Sequence, residues 1–67
     1  MYGNEIKEFR IRARITQKQL SKATGIPQRT ISWIESNKGI PTIDNLIKLA
    51  DYYNISLDEL VGRDFFG

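Results

Sequence analysis

The 67-residue sequence contains neither cysteine nor histidine. Without cysteine there is no disulfide framework and no thiolate metal site, and without histidine the commonest general base and metal ligand is missing. Both absences weigh against an enzyme and against a resident metal or cofactor. Long apolar stretches are missing too. No run exceeds two or three residues, far short of the roughly 20 needed to span a bilayer, and no apolar segment follows the first methionine. The expectation is a chain that is neither secreted nor membrane-bound and that works in the cytoplasm. A chain this short buries only about 60% of its unfolded surface, which leaves apolar material for one core and none for a second. Residues 1–67 therefore read as a single domain, with its core over about 4–62 and a short tail over 63–67.

What is present is ordinary for a folded domain: 40% hydrophobic and 27% charged residues, outside the range of disordered or fibrous chains. The formal net charge of +2 hides an uneven distribution. Residues 1–38 carry eight basic side chains (Lys7, Arg10, Arg12, Arg14, Lys18, Lys22, Arg29, Lys38) against Glu5, Glu8 and Glu35, a net of +5. Residues 39–67 carry Lys48 and Arg63 against Asp44, Asp51, Asp58, Glu59 and Asp64, a net of −3. A basic half points to a polyanion such as nucleic acid, because neutralised phosphates release counterions. A merely lopsided, solvated surface accounts for the charge equally well.

Turn signals cut the chain into five helical segments and leave no alternating strand pattern, so the fold class is all-α. In the first segment Ile6, Phe9, Arg10 and Ala13 share one face. Thr16 to Gln19 has the form of a capping box and starts a second helix, carrying Leu20 and Ala23 inward and ending at Gly25. Pro27 opens a third helix, since a fixed φ and a missing N–H are harmless at a first helical position. There Thr30, Ile31 and Ile34 face inward, and Gln28, Arg29, Ser32, Trp33 and Ser36 spread over the opposite side. Thr42 caps a fourth helix, with Asp44 in its first turn and Ile43, Leu46, Leu49, Ala50 and Tyr53 at core spacing. Ser56 to Glu59 forms a second capping box, opening a short fifth helix with Leu57, Leu60 and Val61, closed by Gly62. An arginine set in an apolar stripe needs a partner, and Glu35, beside the inward Ile34, is the natural one for Arg10.

Two short helices joined through Gly25-Ile26-Pro27 match a helix-turn-helix. Further residues extend the match: Thr16-Gln17 with Leu20, Gly25-Ile26, Ile31 to Glu35, Lys38, Pro41-Thr42-Ile43 with Leu46, Lys48-Leu49-Ala50, and Ile55 to Leu60. On these the chain resembles the phage repressor and Cro-like helix-turn-helix family, often called the Xre type, from about Ile6 to Gly62. The resemblance implies a five-helix, repressor-like DNA-binding domain whose third helix lies in the major groove. It carries base-reading roles onto Gln28, Arg29, Ser32 and Trp33. Glutamine can pair bidentately with adenine and arginine with guanine. A generic phosphate contact remains open for Arg29, and sideways packing for Trp33. Gln17, at the second helix's N-terminus, is implied as a phosphate contact, with Ser36, Asn37 and Lys38 after the third helix and Thr42 and Asn45 at the start of the fourth. Family members often carry a similar Arg10 and Glu35 pair, a structural one. Three departures stand out. Pro27 replaces the usual Ser or Thr cap, while Arg14 and Asn37 replace residues usually Gly or Asn, and Gly, and are expected at φ > 0. Ile11 points off the apolar face.

The function expected is sequence-specific binding of double-stranded DNA by a small standalone transcriptional regulator, a repressor on a pseudo-palindromic operator, with no enzyme activity and no small-molecule ligand. With no room for a sensing domain, control would come through concentration, dimerisation or a regulatory protein. One domain contacts only a few base pairs, so a homodimer is expected. With no separate oligomerisation domain, Leu57, Val61, Phe65 and Phe66 are its candidate interface, and folding of the two phenylalanines back onto their own core is the alternative. The rival class is a protein-interaction module, an adaptor or antitoxin-like subunit docking through the acidic half.

Overall fold

The computed structural model describes residues 2–39 and 41–61, with the side chains of residues 4–39 and 41–60. These residues form five helices and no strand: α1 Tyr2–Arg12, α2 Gln17–Thr24, α3 Gln28–Glu35, α4 Ile43–Tyr53 and α5 Leu57–Val61. The all-α, five-helix expectation holds. The expected closure at Gly62 lies outside the described residues.

Local chemistry sets where each helix starts. The Gln19 N–H donates to Thr16 Oγ1 at 3.0 Å and the Thr16 N–H donates to Gln19 Oε1 at 2.8 Å, a complete capping box for α2. The Asn45 N–H donates to Thr42 Oγ1 at 3.1 Å and caps α4. At α5 the Glu59 N–H donates to Ser56 Oγ at 3.1 Å and the Ser56 N–H to Glu59 Oε1 at 3.3 Å. Before each of these caps stands a residue that packs inward (Ile15, Pro41, Ile55), with Leu20, Leu46 and Leu60 buried five positions on. These pairs fix the angle at which the chain enters each helix. At α3, Pro27 sits at the cap itself, in the place the resemblance gives to a Ser or Thr cap and one position before the first helical position expected from its chemistry. It has no side-chain cap bond, and its carbonyl accepts the Ile31 N–H at 3.1 Å.

Helix ends are equally specified. Arg14, Asn37 and Asn54 have φ of 58°, 58° and 57°, and Gly25 has 81°. Behind each of the first three, two N–H groups fold back onto the carbonyls left open at the helix end. Arg14 and Ile15 donate to Ile11 and Arg10, Asn37 and Lys38 to Ile34 and Trp33, and Asn54 and Ile55 to Asp51 and Ala50. This is the Schellman pattern. At Gly25 a single bond to the Ser21 carbonyl does the same work.

The core is Ile6, Leu20, Ile26, Ile31, Ile34, Leu46, Leu49, Ala50 and Leu60, edged by Phe9, Ile15, Tyr53, Ile55 and Leu57. Helix α3 packs on α1 and α2, and α5 on α1 and α4. Three inward assignments are corrected. Ala13 is exposed because α1 ends at Arg12, and Ile15 beyond the turn packs instead. Ala23 is exposed because the inward stripe of α2 runs through Gln17, Leu20, Ser21 and Thr24. Ile43 is 57% exposed; it lies on the flank of the α4 stripe, and the buried residue at that end is Pro41.

Candidate nucleic-acid interface

The turn between α2 and α3 is held from inside. Thr24 Oγ1 donates to the Leu20 carbonyl at 2.8 Å and accepts the Ile26 N–H at 3.2 Å. Ile26 is buried in the core. With Ile31 and Ile34 also buried, α3 cannot rotate about its axis, and its opposite side is turned outward. That side presents Gln28, Arg29, Ser32 and Trp33, all four exposed. Trp33, at 41% exposed, is partly covered by the loop at Gly39.

The core-facing end of α3 carries the one buried charge among the described residues, Glu35. Arg10 Nε donates to Glu35 Oε2 at 2.8 Å and Nη2 donates to Oε1 at 3.1 Å, a bidentate pair between α1 and α3. Arg10 Nη1 also donates to the Ile15 carbonyl at 2.9 Å, which ties the turn before α2 to the same group. Hydrogen bonding to Glu35 raises the Arg10 pKa, against the opposing effect of burial. The expected pair is present, and one further member was not foreseen. Gln17 Nε2 donates to Glu35 Oε1 at 3.2 Å, so the Gln17 amide is turned toward the interior rather than outward. Its place in the inward stripe of α2, three residues before Leu20, was the signal available for this.

Of the other residues singled out in the sequence, Ser36 to Lys38 follow α3, and Thr42 and Asn45 stand at the start of α4. Ser36 Oγ donates to the Trp33 carbonyl at 3.0 Å, and Asn37 Nδ2 donates to Asn4 Oδ1 at 3.1 Å, binding the end of α3 to the start of α1. Lys38 is exposed. Thr42 is exposed while its hydroxyl caps α4, and Asn45 is half-buried with its N–H on that hydroxyl. Leu57 packs against the core edge, while the Val61 side chain, Phe65 and Phe66 lie outside the described residues. Ile11 is exposed, as its position off the α1 stripe implies. Two features of the surroundings were missed. Gly39 is packed beneath the Trp33 ring, and the Tyr53 hydroxyl is buried with no hydrogen-bond partner among the described residues.

Charge is unevenly shared among the helices. Lys7, Arg12, Arg14, Lys18, Lys22, Arg29 and Lys38, from α1 to the loop after α3, are exposed alongside Glu5 and Glu8, and Asp44, Asp51, Asp58 and Glu59 on α4 and α5 are exposed alongside Lys48. The Arg10–Glu35 pair cancels internally and leaves the basic excess of the first half unchanged. Among the described residues no group of acidic side chains is placed to hold a metal ion, and no helix is long and apolar enough to cross a membrane.

Comparison with known proteins agrees with this architecture. The cryptic phage CTXphi transcriptional repressor RstR of Vibrio cholerae is 46% identical over 48 residues, 72% of this chain and 43% of that protein. The HTH-type transcriptional regulator ImmR of Bacillus subtilis is 37% identical over 62 residues, 92% of this chain and 49% of that protein. The chain thus spans less than half the length of either relative. Both carry the names of transcriptional regulators and not of enzymes. The crystal structure of a transcriptional regulator from Listeria innocua superposes with a TM-score of 0.81 at 27% identity, covering 92% of this chain and 58% of that one. Residues 6–60, from the first buried isoleucine of α1 to the last buried leucine of α5, match the family described as Helix-turn-helix, and the chain belongs to that family.

Proposed function

We propose that this domain binds double-stranded DNA in a sequence-specific manner through the outer face of α3 and regulates transcription. The observation that carries the proposal is the exposure of Gln28, Arg29, Ser32 and Trp33 on one side of a helix whose other side is locked into the core. A helix of this kind fits the major groove, where Arg29 can pair with guanine O6 and N7 and Gln28 with adenine N6 and N7. The exposed basic residues from α1 to Lys38 supply non-specific attraction to phosphates. Backbone contacts are assigned to Ser36, Asn37, Lys38, Thr42, Asn45 and the N-terminus of α2 at Gln17. There the first-turn N–H groups point along the helix axis, and the Gln17 amide stays on Glu35.

A homodimer is part of the proposal, because one domain contacts too few base pairs to select a site within a genome, and two half-sites about 34–36 Å apart solve this. Leu57, Val61, Phe65 and Phe66 are its proposed interface, and a second regulatory protein is a partner consistent with control by association. The direction proposed is repression, as in the name of RstR.

Selection of duplexes from a random library by the purified chain tests the proposal. The expected result is an enriched motif with a preferred guanine in each half-site. Arg29→Ala should flatten preference at that base pair alone, a change of about 1–3 kcal/mol in discrimination. An unchanged motif removes Arg29 from the reading face. No enrichment at all favours an adaptor whose partner is a protein.

A further inference from the structure

Two physical reasons place glycine in a loop: a backbone conformation closed to other residues, or a close approach that leaves no room for a Cβ. Gly25 has the first reason, with φ of 81° and nothing near the position a Cβ would take. Gly39 has the second. It does not occupy the left-handed region, and a Cβ built on it would overlap Cζ2 and Cη2 of the Trp33 ring. The loop reaches this position because it folds back over the end of α3. The Lys38 N–H donates to the Trp33 carbonyl at 3.4 Å, and the Ser36 hydroxyl donates to the same oxygen at 3.0 Å. The six-membered ring of Trp33 therefore rests on the backbone at Gly39, while the residue as a whole stays 41% exposed.

We propose that Gly39 is a positioning residue for recognition: its missing side chain lets the Trp33 indole lie on the loop after α3, which sets the surface that Trp33 presents. The inference rests on the reading of α3 as the DNA-facing helix and adds to it a residue outside that helix that tunes its specificity. Lifted off the loop by a methyl group at position 39, the indole would take another position on the outer face of α3 that it shares with Gln28, Arg29 and Ser32. The overlapping atoms are at the far end of a side chain, so the ring gives way rather than the backbone, and Gly39→Ala should still fold.

Trp33 is the sole tryptophan of the chain, so its fluorescence reports the ring directly in the DNA-free protein. In Gly39→Ala the emission is expected to move to longer wavelength and acrylamide quenching to increase. Duplex selection is expected to show about a tenfold change in preference at one base pair of the half-site. In a Trp33→Ala background the same Gly39→Ala change should leave the selected motif as it is with Trp33→Ala alone. Should Gly39→Ala fail to fold, the double variant is expected to recover folding, since the ring is then absent.

Unchanged or blue-shifted emission overturns the proposal. So does a displaced ring with an unaltered motif, an equal effect of Gly39→Ala with and without Trp33, or an unfolded double variant. Failure of wild-type protein to enrich any sequence would instead contradict the DNA-facing reading of α3. The fluorescence comparison, which uses no DNA, tells the two failures apart.

Discussion

Arg10 holds three things at once: both oxygens of Glu35 and the carbonyl of Ile15. The Glu35 side chain is 3% exposed, so removing the guanidinium strands a carboxylate where water cannot reach it. Arg10→Met is expected to cost about 3–5 kcal/mol in a denaturant melt, and a loss under about 1 kcal/mol would show that Glu35 finds solvent readily. The partnership was legible because a charge in an apolar stripe demands one. The inward side of Gln17 was legible from its place in the α2 stripe, but its partner and the burial of the Tyr53 hydroxyl were not, since they depend on how helices distant in sequence close on one another. Burial pushes the Tyr53 phenol up from about 10 to about 12, with the neighbouring Tyr52 and Glu35 adding to the shift. An acid with a raised pKa in the folded state keeps its proton while the unfolded chain loses it. Tyr53 is therefore expected to withdraw stability as pH rises from 10 to 12 and to leave it unaffected below 10. Melts across that window should show a shallower alkaline loss for Tyr53→Phe than for wild type. Identical slopes would mean that the hydroxyl is solvated.

At the scale of elements, helix starts were legible and helix flanks less so. Capping boxes at Thr16 and Ser56 and the cap at Thr42 are short patterns whose bonds close within three residues, so no tertiary context is needed to find them. Ala13, Ala23 and Ile43 were misplaced because spacing alone leaves the edge of an apolar stripe undecided by one residue; packing decides it. The packing of Gly39 under Trp33 escaped notice because a close approach between a loop and a ring leaves no periodic trace. The left-handed residues were foreseen at Arg14 and Asn37, and both carry φ of 58°. For a side chain with no local hydrogen-bonding advantage this conformation costs about 1–2 kcal/mol. Glycine avoids that cost but loses about 0.5–1 kcal/mol of backbone entropy. Arg14→Gly is accordingly expected to stabilise the domain by about 0.5–1 kcal/mol in thermal or denaturant melts. A destabilised variant would show that the Arg14 side chain contributes contacts worth more than the strain.

Across the whole molecule, position and charge coincide. The core locks α3 with its polar face outward; the chain from α1 to the loop after α3 carries seven exposed basic residues against Glu5 and Glu8, and α4 and α5 carry four exposed acidic ones against Lys48. This imbalance was visible as a count along the chain, and the folded domain keeps it helix by helix, although α5 packs on α1 as well as on α4. A duplex entering from the α3 side meets attraction first and base-reading donors next. The most direct test is the affinity of the chain for its selected duplex and for a scrambled one, measured from 50 to 200 mM salt with wild type and Arg29→Ala side by side. Affinity for both duplexes should fall roughly tenfold or more over that range, the selected one should stay preferred throughout by wild type, and Arg29→Ala should lose much of the preference. A flat salt response with equal, weak affinity for the two duplexes, unchanged by Arg29→Ala, would contradict a DNA-reading role for the outer face of α3.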